Sequence, residues 1–266
     1  MASCNDPSIT YLNSFGYNVV RLPRAGIEPM DVLGRDGSLE KLGRLSTVWS
    51  TSEAEPAVRG PDLVTAIEGQ RTKKLDLSVG LHMLTSIVQG FTGQAPRLDG
   101  AYKRARHIEF AFTNVYSRSV APLEVGRYLA KGDLDISNPV VTRYFLDEDL
   151  QAFLITETLQ SDSILVTAMD AQGQELALEI PALQSAVGGS LEVNRHAGGV
   201  TTLQFKGKNP IVFGFKVFAF AYSDGKWKLE GAKPSGALAF STDPSDPAEM
   251  AEGVLLNSTG WVRLNR

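Results

Sequence analysis

The clearest periodicity in the chain lies between residues 77 and 93. Large apolar residues recur there at intervals of three and four positions, which is the spacing of one face of an α-helix. They are Leu77, Leu81, Leu84, Val88 and Phe91. Gly93 follows where the helix would end, and glycine is favoured just past a helix C-terminus. The sequence therefore predicts an amphipathic helix that ends near Gly93.

Strand patterns dominate the rest of the chain. Ile108, Phe110 and Phe112 alternate with polar neighbours, which is typical of a half-buried strand. Residues 211–222 are apolar at both parities except at Lys216, which predicts a central strand with both faces covered. Further strands are predicted at 17–22, 140–146, 151–158, 164–169, 176–180, 191–193, 201–205 and 227–229, with hairpin turns at 171–174 and 223–226.

Prolines give further signals about where elements begin and end. Pro61, Pro122 and Pro181 each precede a short apolar segment, and proline is tolerated in the first turn of a helix. We therefore predict short helices at 61–67, 122–129 and 181–187. Pro23 should end the first strand or confine it to a sheet edge, because proline cannot donate to a ladder.

These elements together indicate a fold class. Residues 34–60 are predicted to form a turn, a short amphipathic segment and a polar loop before the first helix. Helices and strands do not alternate strictly along the chain, which argues against a doubly wound fold. We predict an α+β fold, with a twisted, mainly antiparallel sheet and surrounding helices in a single domain, residues 1–232.

The composition changes after this domain. Residues 233–252 are rich in proline, serine and aspartate and form a predicted linker, the kind of exposed segment that proteases cut. Residues 253–266 form a short C-terminal tail that is apolar again. Its large apolar residues are Val254, Leu255, Leu256, Trp261 and Leu264. We expect these side chains to dock in a groove on the main domain.

Composition and charge exclude several classes of protein. The chain has 266 residues, of which 43% are hydrophobic, so it can bury a substantial core. A net charge of -4 argues against a nucleic-acid partner, which usually requires a basic face. The single cysteine rules out an internal disulfide and indicates a reducing compartment. The N-terminus lacks a secretory signal, so we expect the resting protein in the cytoplasm.

Catalytic and metal-binding patterns are not found in the sequence. It contains no P-loop, dinucleotide fingerprint, nucleophile elbow or HExxH motif. His82, His107 and His196 have no cysteine or carboxylate neighbours at metal-ligand spacing. Asp147, Glu148 and Asp149 are interpreted as a solvated turn, since charged residues are mostly exposed. We predict no catalytic residue, no metal site and no cofactor. A hydrolase with an unrecognised site stays open as an alternative.

The first part of the chain carries a family resemblance. Residues 11–34, YLNSFGYNVVRLPRAGIEPMDVLG, resemble the N-terminus of the bacterial gasdermins, homologues of the animal pore-forming gasdermins. Proteins of that family are about this length, carry a cysteine within the first few residues and end in a short autoinhibitory tail. Over the rest of the chain the resemblance rests on the order of the elements.

The resemblance implies an autoinhibited pore-forming effector. A caspase-like protease would remove the C-terminal tail by a cut between Lys233 and Leu256, and the five apolar tail residues would be the inhibitory anchors. The freed domain would insert β-hairpins into the inner membrane, contact its lipids and assemble a large homo-oligomeric pore that kills the cell, as in anti-phage defence. We expect a monomer at rest.

The same resemblance implies that Cys4 is acylated, with a palmitoyl group as the expected modification. A single acyl chain gives only marginal membrane binding, so it would assist insertion. The alternative for Cys4 is an unmodified exposed thiol.

A pore former without a spanning helix must cross the bilayer with paired strands, because unpaired backbone groups in hydrocarbon are costly. Spanning strands need about nine to eleven residues with alternating faces. Candidate segments are Gln151–Asp170 and Val200–Trp227, the first of which is interrupted by Thr156, Thr158, Gln160 and Ser161. The same segments suit ordinary sheet strands. A non-enzymatic lipid- or ligand-binding α+β module, closed by its C-terminal segment, is therefore the alternative function.

Overall fold

The computed structural model of the chain describes residues 12, 15–36, 38–69, 71–72, 74–147, 149–187, 192–196, 201–223 and 225–231. Five helices lie within these ranges: α1 (Leu45–Val48), α2 (Leu77–Thr92), α3 (Pro122–Ala130), α4 (Pro139–Leu146) and α5 (Ile180–Val187). The strands are β1 (Asn18–Arg24), β2 (Asp31–Asp36), β3 (Ser38–Arg44), β4 (Trp49–Thr51), β5 (Arg59–Leu63), β6 (Leu75–Asp76), β7 (His107–Ser119), β8 (Gly132–Leu134), β9 (Gln151–Met169), β10 (Glu192–Arg195), β11 (Thr202–Ser223) and β12 (Lys226–Gly231).

The sheet is built around β9 and β11, which pair with each other along most of their lengths. The other side of β11 pairs in turn with β10, β1 and β12. The other side of β9 pairs with β7 and β2, beyond which lie β5, β6 and β3. A separate two-stranded ribbon joins β4 to β8. Every one of these pairings is antiparallel, which confirms the predicted α+β class with a mainly antiparallel sheet.

Elements with a strong side-chain period were predicted correctly. The predicted helix at 77–93 is α2, which ends at Gly93 in the left-handed conformation with a φ of 77°. The predicted central strand at 211–222 lies in β11, and the predicted helix at 122–129 is α3. β1 contains Pro23 and pairs only with β11 among the described strands, so it is an edge strand as expected.

Two short segments were predicted wrongly. Residues 140–146, expected as a strand, belong to α4. The side chain of Asn138 accepts the N–H of Val140 at 3.0 Å and caps this helix, whose first turn contains Pro139. Residues 61–67, expected as a helix, begin in β5, which pairs with β7. Pairing with β7 satisfies the backbone of this segment instead, and the N–H of Val64 donates to the carbonyl of Val115 at 2.9 Å.

Strand lengths also differ from the prediction. Residues 34–36 and 38–44 lie in the paired strands β2 and β3 instead of a turn and an amphipathic segment. The segments 151–158 and 164–169 join into β9, while 201–205 and 211–222 join into β11. Irregularities in the β9–β11 register allow the ladder to continue through the polar positions between these segments. The predicted strand at 176–180 does not form, because only an isolated bridge between Met169 and Glu175 follows the turn.

The core is divided among three clusters. The α2 cluster joins α2 and α5 to one face of β7, β9 and β11. The α3–α4 cluster joins α1, α3 and α4 to β2, β4, β8 and the opposite end of the β9–β11 pair. A third cluster lies between them, around the middle of β9 and β11 and the residues that precede β1. The two central strands therefore run through all three.

Candidate functional site: the paired strands β9 and β11

The two segments predicted to enter a membrane lie side by side in the structure. Gln151–Asp170 corresponds to β9, of 19 residues, and Val200–Trp227 contains β11, of 22 residues. They pair antiparallel from Phe153 opposite Ala219 to Thr167 opposite Thr202. The sequence identified each segment but had no signal for their pairing. Cys4, the five apolar tail residues and the interval Lys233–Leu256 lie outside the described residues.

One face of this pair is apolar and covered by helix. Residues of β9 and β11 pack there against α2 and α5 in the α2 cluster. Contact between helix and sheet is close, since a Cβ at Gly207 of β11 would lie 2.7 Å from the Cβ of Phe91 in α2. A Cβ at Gly80 of α2 would lie 2.9 Å from the Cβ of Ile108 in β7. The β9 and β11 residues in this contact are Ile164, Val166, Ala168, Leu203, Phe205 and Ile211.

The intervening positions carry polar side chains that bond to one another. The hydroxyls of Thr167 and Thr202 share a hydrogen bond of 3.0 Å across the two strands. Gln204 donates its amide to the hydroxyl of Ser163 at 2.9 Å, and Ser161 donates to the carbonyl of Ser163 at 2.7 Å. This half of the β9–β11 pair is therefore amphipathic, with an apolar face under α2 and a polar face satisfied by its own side chains.

The polar interruptions predicted in the first segment are buried in the resting fold. Thr156, Thr158, Gln160 and Ser161 are all buried, although serine, threonine and glutamine are usually exposed. Thr156 lies at a bulge, where the register with β11 shifts between Glu157 and Ile155. The structure thus tolerates polar residues inside these strands by pairing them or by local irregularity.

A polar cluster joins Tyr17, which directly precedes β1, to both central strands. Tyr17 donates its hydroxyl to Glu157 of β9, and Lys216 of β11 forms an ion pair with the same carboxylate at 2.9 Å. The ammonium group of Lys216 lies 4.2 Å from the centre of the Tyr17 ring. Burial and the neighbouring Glu157 carboxylate raise the pKa of Tyr17. Lys216 was visible in the sequence as the one polar residue in an apolar run, whereas Glu157 had no such signal.

A second polar network lies on the β2 and β7 side of β9. Asp31 of β2 is buried and forms an ion pair with Lys41 of β3 at 2.8 Å. Burial nevertheless raises the pKa of the Asp31 carboxyl. Glu28 bonds to Arg44 of β3 at 3.3 Å and to Arg118 of β7 at 3.2 Å. These contacts join residues of separate strands, so we interpret them as stabilising the fold.

An open groove of about 760 Å³ lies between α3 and β12. Its lining includes Leu123, Gly126 and Ala130 of α3 and Trp227 of β12. Trp49 also lines it, and the indole N–H of this residue is buried with no acceptor in the described part of the chain. The groove is lined by apolar side chains together with the charged residues Asp133, Lys226 and Lys228.

The histidines are not assembled into a site. His82 is exposed on α2, and Nδ1 of His107 lies 3.6 Å from a carboxylate oxygen of Asp76. Across the ranges that the structure describes, no group of three or more histidine, cysteine or acidic residues is placed to hold a metal ion. In the same ranges no helix is long and apolar enough to cross a membrane.

Comparison with known proteins identifies the class. The structure resembles that of a bacterial gasdermin from Bradyrhizobium tropiciagri with a TM-score of 0.63, over 86% of this chain and 92% of that chain. At 18% identity this likeness concerns the fold alone. The molecule is thus an α+β protein with the gasdermin fold.

Sequence comparison identifies the family to which the chain belongs. The model of the Bacterial Gasdermin Family matches residues 20–228. The gasdermin of Vitiosangium sp. is 37% identical over 98% of this chain and 100% of its own length. A gasdermin from a Desulfuromonadales bacterium is 32% identical over 97% of this chain and 99% of its own length. The chain belongs to the bacterial gasdermin family, which confirms the resemblance seen in residues 11–34.

Proposed function

We propose that this protein is a pore-forming effector without enzymatic activity, held inactive by its C-terminal tail. The observation that carries the proposal is the amphipathic pair β9 and β11 in a member of the gasdermin family. Each strand is longer than the roughly nine to eleven residues that a tilted strand needs to cross a bilayer. Their mutual pairing satisfies the backbone groups along the edge that they share, and the groups on the two outer edges pair with neighbouring strands of the assembled oligomer, because a membrane interior offers no other partner.

Insertion makes use of the two faces of this pair. The apolar face exchanges its contact with α2 for contact with lipid acyl chains. The polar face, with Ser163, Thr167 and Thr202, turns towards the water of the pore. This arrangement follows the alternation of lipid-facing and lumen-facing residues in membrane-spanning strands. It requires α2 to separate from the sheet.

The tail acts as the inhibitor in this scheme. Burying one large apolar side chain stabilises a contact by roughly 1.5–3 kcal/mol, so the five apolar tail residues hold the segment in place while it is attached. After a cut between Lys233 and Leu256, the released peptide loses its high effective concentration and diffuses away. A caspase-like protease makes this cut. Asp243 and Asp246 are poor sites because a proline follows each of them.

The remaining parts of the proposal concern location and assembly. The resting protein is a cytoplasmic monomer without a cofactor, and a palmitoyl group on Cys4 assists its approach to the membrane. The freed domains insert into the inner membrane, contact its lipids and form a homo-oligomeric pore. Permeabilisation kills the cell, as an anti-phage defence would require.

A cleavable variant tests the proposal without the risk that a truncated chain fails to fold. Residues 242–248 are replaced by the recognition sequence of a site-specific viral protease, and the intact folded protein is mixed with dye-loaded liposomes. We expect dye release only after the protease is added. A matched variant with a non-cleavable sequence should leave the liposomes intact. A cut protein that stays folded by circular dichroism and releases no dye would contradict the proposal.

The same assay addresses Cys4. Because acylation requires the modifying cell, the cleavable variant and its Cys4→Ala form are compared in bacteria that express the viral protease. We expect slower growth arrest and slower dye entry for Cys4→Ala, with intact mass measurement reporting the acyl group. Equal rates, together with an unmodified cysteine, would contradict the acylation.

A further inference from the structure

The two central strands of the large sheet are irregular at one level along their length. Lys206 of β11 lies opposite Ser163 of β9, and the next regular pair joins Ile211 to Ser161. Five positions separate these residues in β11, whereas two separate their partners in β9, so β11 holds three extra residues. Residues 207–210 therefore face a single residue of β9, and the regular ladder is interrupted there.

The neighbouring strand β7 is irregular at the same level. Asn114 has a φ of 51°, in the left-handed region, and its side-chain amide donates to the carboxylate of Asp162 in β9 at 3.1 Å. Its backbone N–H donates to the carboxylate of Glu68 at 3.3 Å. In β9 the hydroxyl of Ser161 accepts the N–H of Ser163 at 3.0 Å. Side chains, and not neighbouring strands, thus accept these two backbone N–H groups.

The outer strands are divided at this level too. On the β7 edge, β5 pairs with residues 116–119 and β6 with residues 107–108, and a turn at 65–69 lies between them. On the β11 edge, β10 pairs with residues 203–206 and β1 with residues 212–215. Within the described part of the sheet no outer strand bridges the irregular level, which we call the break line.

The break line separates two parts of the sheet. The first, which we call the α2 half, comprises β6, β10 and residues 107–113, 163–169 and 202–206 of the long strands. The second comprises the remaining strands of the large sheet. Across the line, the rings of Phe112 and Phe213 stack with their centroids 4.1 Å apart. Apolar contact is not directional, so it survives a tilt that a ladder of hydrogen bonds would not.

Helix α2 crosses the break line on one face of the sheet. Gly80 near its start packs against Ile108 in the α2 half. Phe91 near its end packs against Gly207 at the line itself. The helix also contacts β1 on the far side. In the resting fold α2 therefore braces the two parts of the sheet against each other.

We propose that the break line is a hinge, at which the α2 half opens together with α2 as one cooperative unit while the rest of the sheet keeps its pairing. The α2 half is the weaker part because its outer strands β6 and β10 have two and four residues. The rest of the sheet is joined by the hydrogen bond of Tyr17 to Glu157 and by the ion pair of Asp31 with Lys41.

The hinge gives the proposed function a first step, and this link rests on that function. Opening at the line frees the apolar face under α2 without unfolding the remaining strands. Residues 207–210 also supply chain length, because taking them into the ladder extends the segment 202–206 to 202–210. A segment of that length reaches the roughly nine residues that a tilted spanning strand needs.

Hydrogen exchange in the full-length resting chain tests the hinge without a membrane, so its outcome does not depend on pore formation. Urea is kept below the unfolding transition, and each exchange rate is divided by that of the unstructured sequence. Residues 164–168 of β9 are compared with residues 152–156 of the same strand. We expect 164–168 and α2 to be at least about ten-fold less protected, since cooperative units open separately. Equal protection, or weaker protection of 152–156, would overturn the proposal.

A deletion tests whether the break line causes this difference. Removal of Lys208, Asn209 and Pro210 joins Gly207 to Ile211, which takes away the three extra residues and makes the β9–β11 register continuous. We expect the difference in protection between the two parts of β9 to fall to about three-fold or less, because one ladder then crosses the line.

The matched control is Lys208→Ala with Asn209→Ala, which removes two exposed polar side chains but keeps the length of β11. It should retain the about ten-fold difference of the parent chain. A folded deletion variant that also retains the difference would overturn the assignment of the hinge to the break line. If the deletion variant does not fold, the comparison within β9 of the unmodified chain still decides the proposal.

Discussion

The two ends of the β9–β11 pair are covered in different ways. At one end, α2 and α5 cover an apolar face through side-chain packing. At the other end, the packing of α1, α3 and α4 is accompanied by an ion pair between the buried Asp31 of β2 and Lys41 of β3. Lipid acyl chains can replace apolar contacts but not charged ones. On the proposed mechanism, we therefore expect the α2 end to exchange its cover while the α3–α4 end stays folded.

The largest expected effect comes from locking α2 to the sheet. In the cleavable Cys4→Ala protein, Gly80→Cys with Ile108→Cys places two thiols where Cβ atoms would be 2.9 Å apart, so a small shift brings them to the roughly 3.5–4.5 Å of a disulfide. We expect the oxidised, cut protein to release no dye from liposomes. Reduction with dithiothreitol should restore release.

A disulfide at the other end serves as the matched control for this lock. Ser50→Cys with Asp133→Cys links opposite residues of the β4–β8 ribbon, which the comparison assigns to the end that stays folded. The oxidised control should release dye as fast as its reduced form. Release from the oxidised α2 lock at the rate of the control would show that α2 need not leave the sheet.

The next prediction compares the same substitution, leucine to alanine, at the two ends of the β9–β11 pair. Leu84 of α2 and Leu45 of α1 are both fully buried, at 0% exposure, so Leu84→Ala and Leu45→Ala should each lower the free energy of unfolding by about 2–5 kcal/mol in urea titrations. Only Leu84→Ala weakens the cover of the apolar face. We therefore expect slow dye release from the uncut Leu84→Ala protein and none from Leu45→Ala. Equal dye release from both uncut variants would show that the two ends of the β9–β11 pair do not differ in how their cover restrains pore formation.

A smaller effect is expected from two buried tyrosines. Tyr17 donates to Glu157 on the central strands, and Tyr144 of α4 donates to Glu40 at 2.9 Å. Because each hydroxyl bonds to a carboxylate, Tyr17→Phe and Tyr144→Phe should each cost about 1.5–3 kcal/mol in the free energy of unfolding at neutral pH. Urea titration measures both. An unchanged free energy in either variant would show that its hydrogen bond does not stabilise the fold.

The pH dependence of Tyr144 has a definite sign. Burial and Glu40 raise the pKa of Tyr144 from 10.0 to about 12 in the folded protein. A raised pKa means that this contribution to stability is present below pH 10 and is lost as the pH rises towards 12. The free energy of unfolding should therefore fall over this interval in the parent and fall less steeply in Tyr144→Phe. Parallel pH profiles for the parent and Tyr144→Phe would contradict the assignment of this pH dependence to Tyr144.

The smallest effect is expected from the charged network on the surface. Glu28 is 44% exposed, so its ion pairs with Arg44 and Arg118 are screened by water. Glu28→Gln should lower the free energy of unfolding by no more than about 1 kcal/mol, and by less at high salt. A larger cost that does not depend on salt would show that this network stabilises the α3–α4 end more strongly than exposure suggests.

Local patterns predicted the elements whose side chains repeat regularly. The three- and four-residue spacing in α2 and the glycine after it were sufficient, because one face of that helix is buried in the core. The pattern at 140–146 was misleading, since the β-branched pair Val140 and Val141 suggested a strand. The better signal was the cap and proline at Asn138 and Pro139, which fits a helix start.

Residues of the candidate site were only partly predictable. Gln151–Asp170 and Val200–Trp227 were recognised as strand material from their composition. Their pairing, the cover of one face by α2 and the contact of Glu157 with Tyr17 involve residues far apart in sequence. Nothing in the sequence around a single carboxylate such as Glu157 indicates which distant residue it will contact.

The sequence by itself determined the family, the α+β class and the positions of the regularly patterned elements, because these depend on neighbouring residues and on motif similarity. Only the tertiary structure decided which strands pair, which face α2 covers and where the groove beside β12 opens. Those features depend on contacts between residues separated by dozens of positions along the chain. Local propensity does not encode the free energy of such contacts, so they become visible only when the chain is folded.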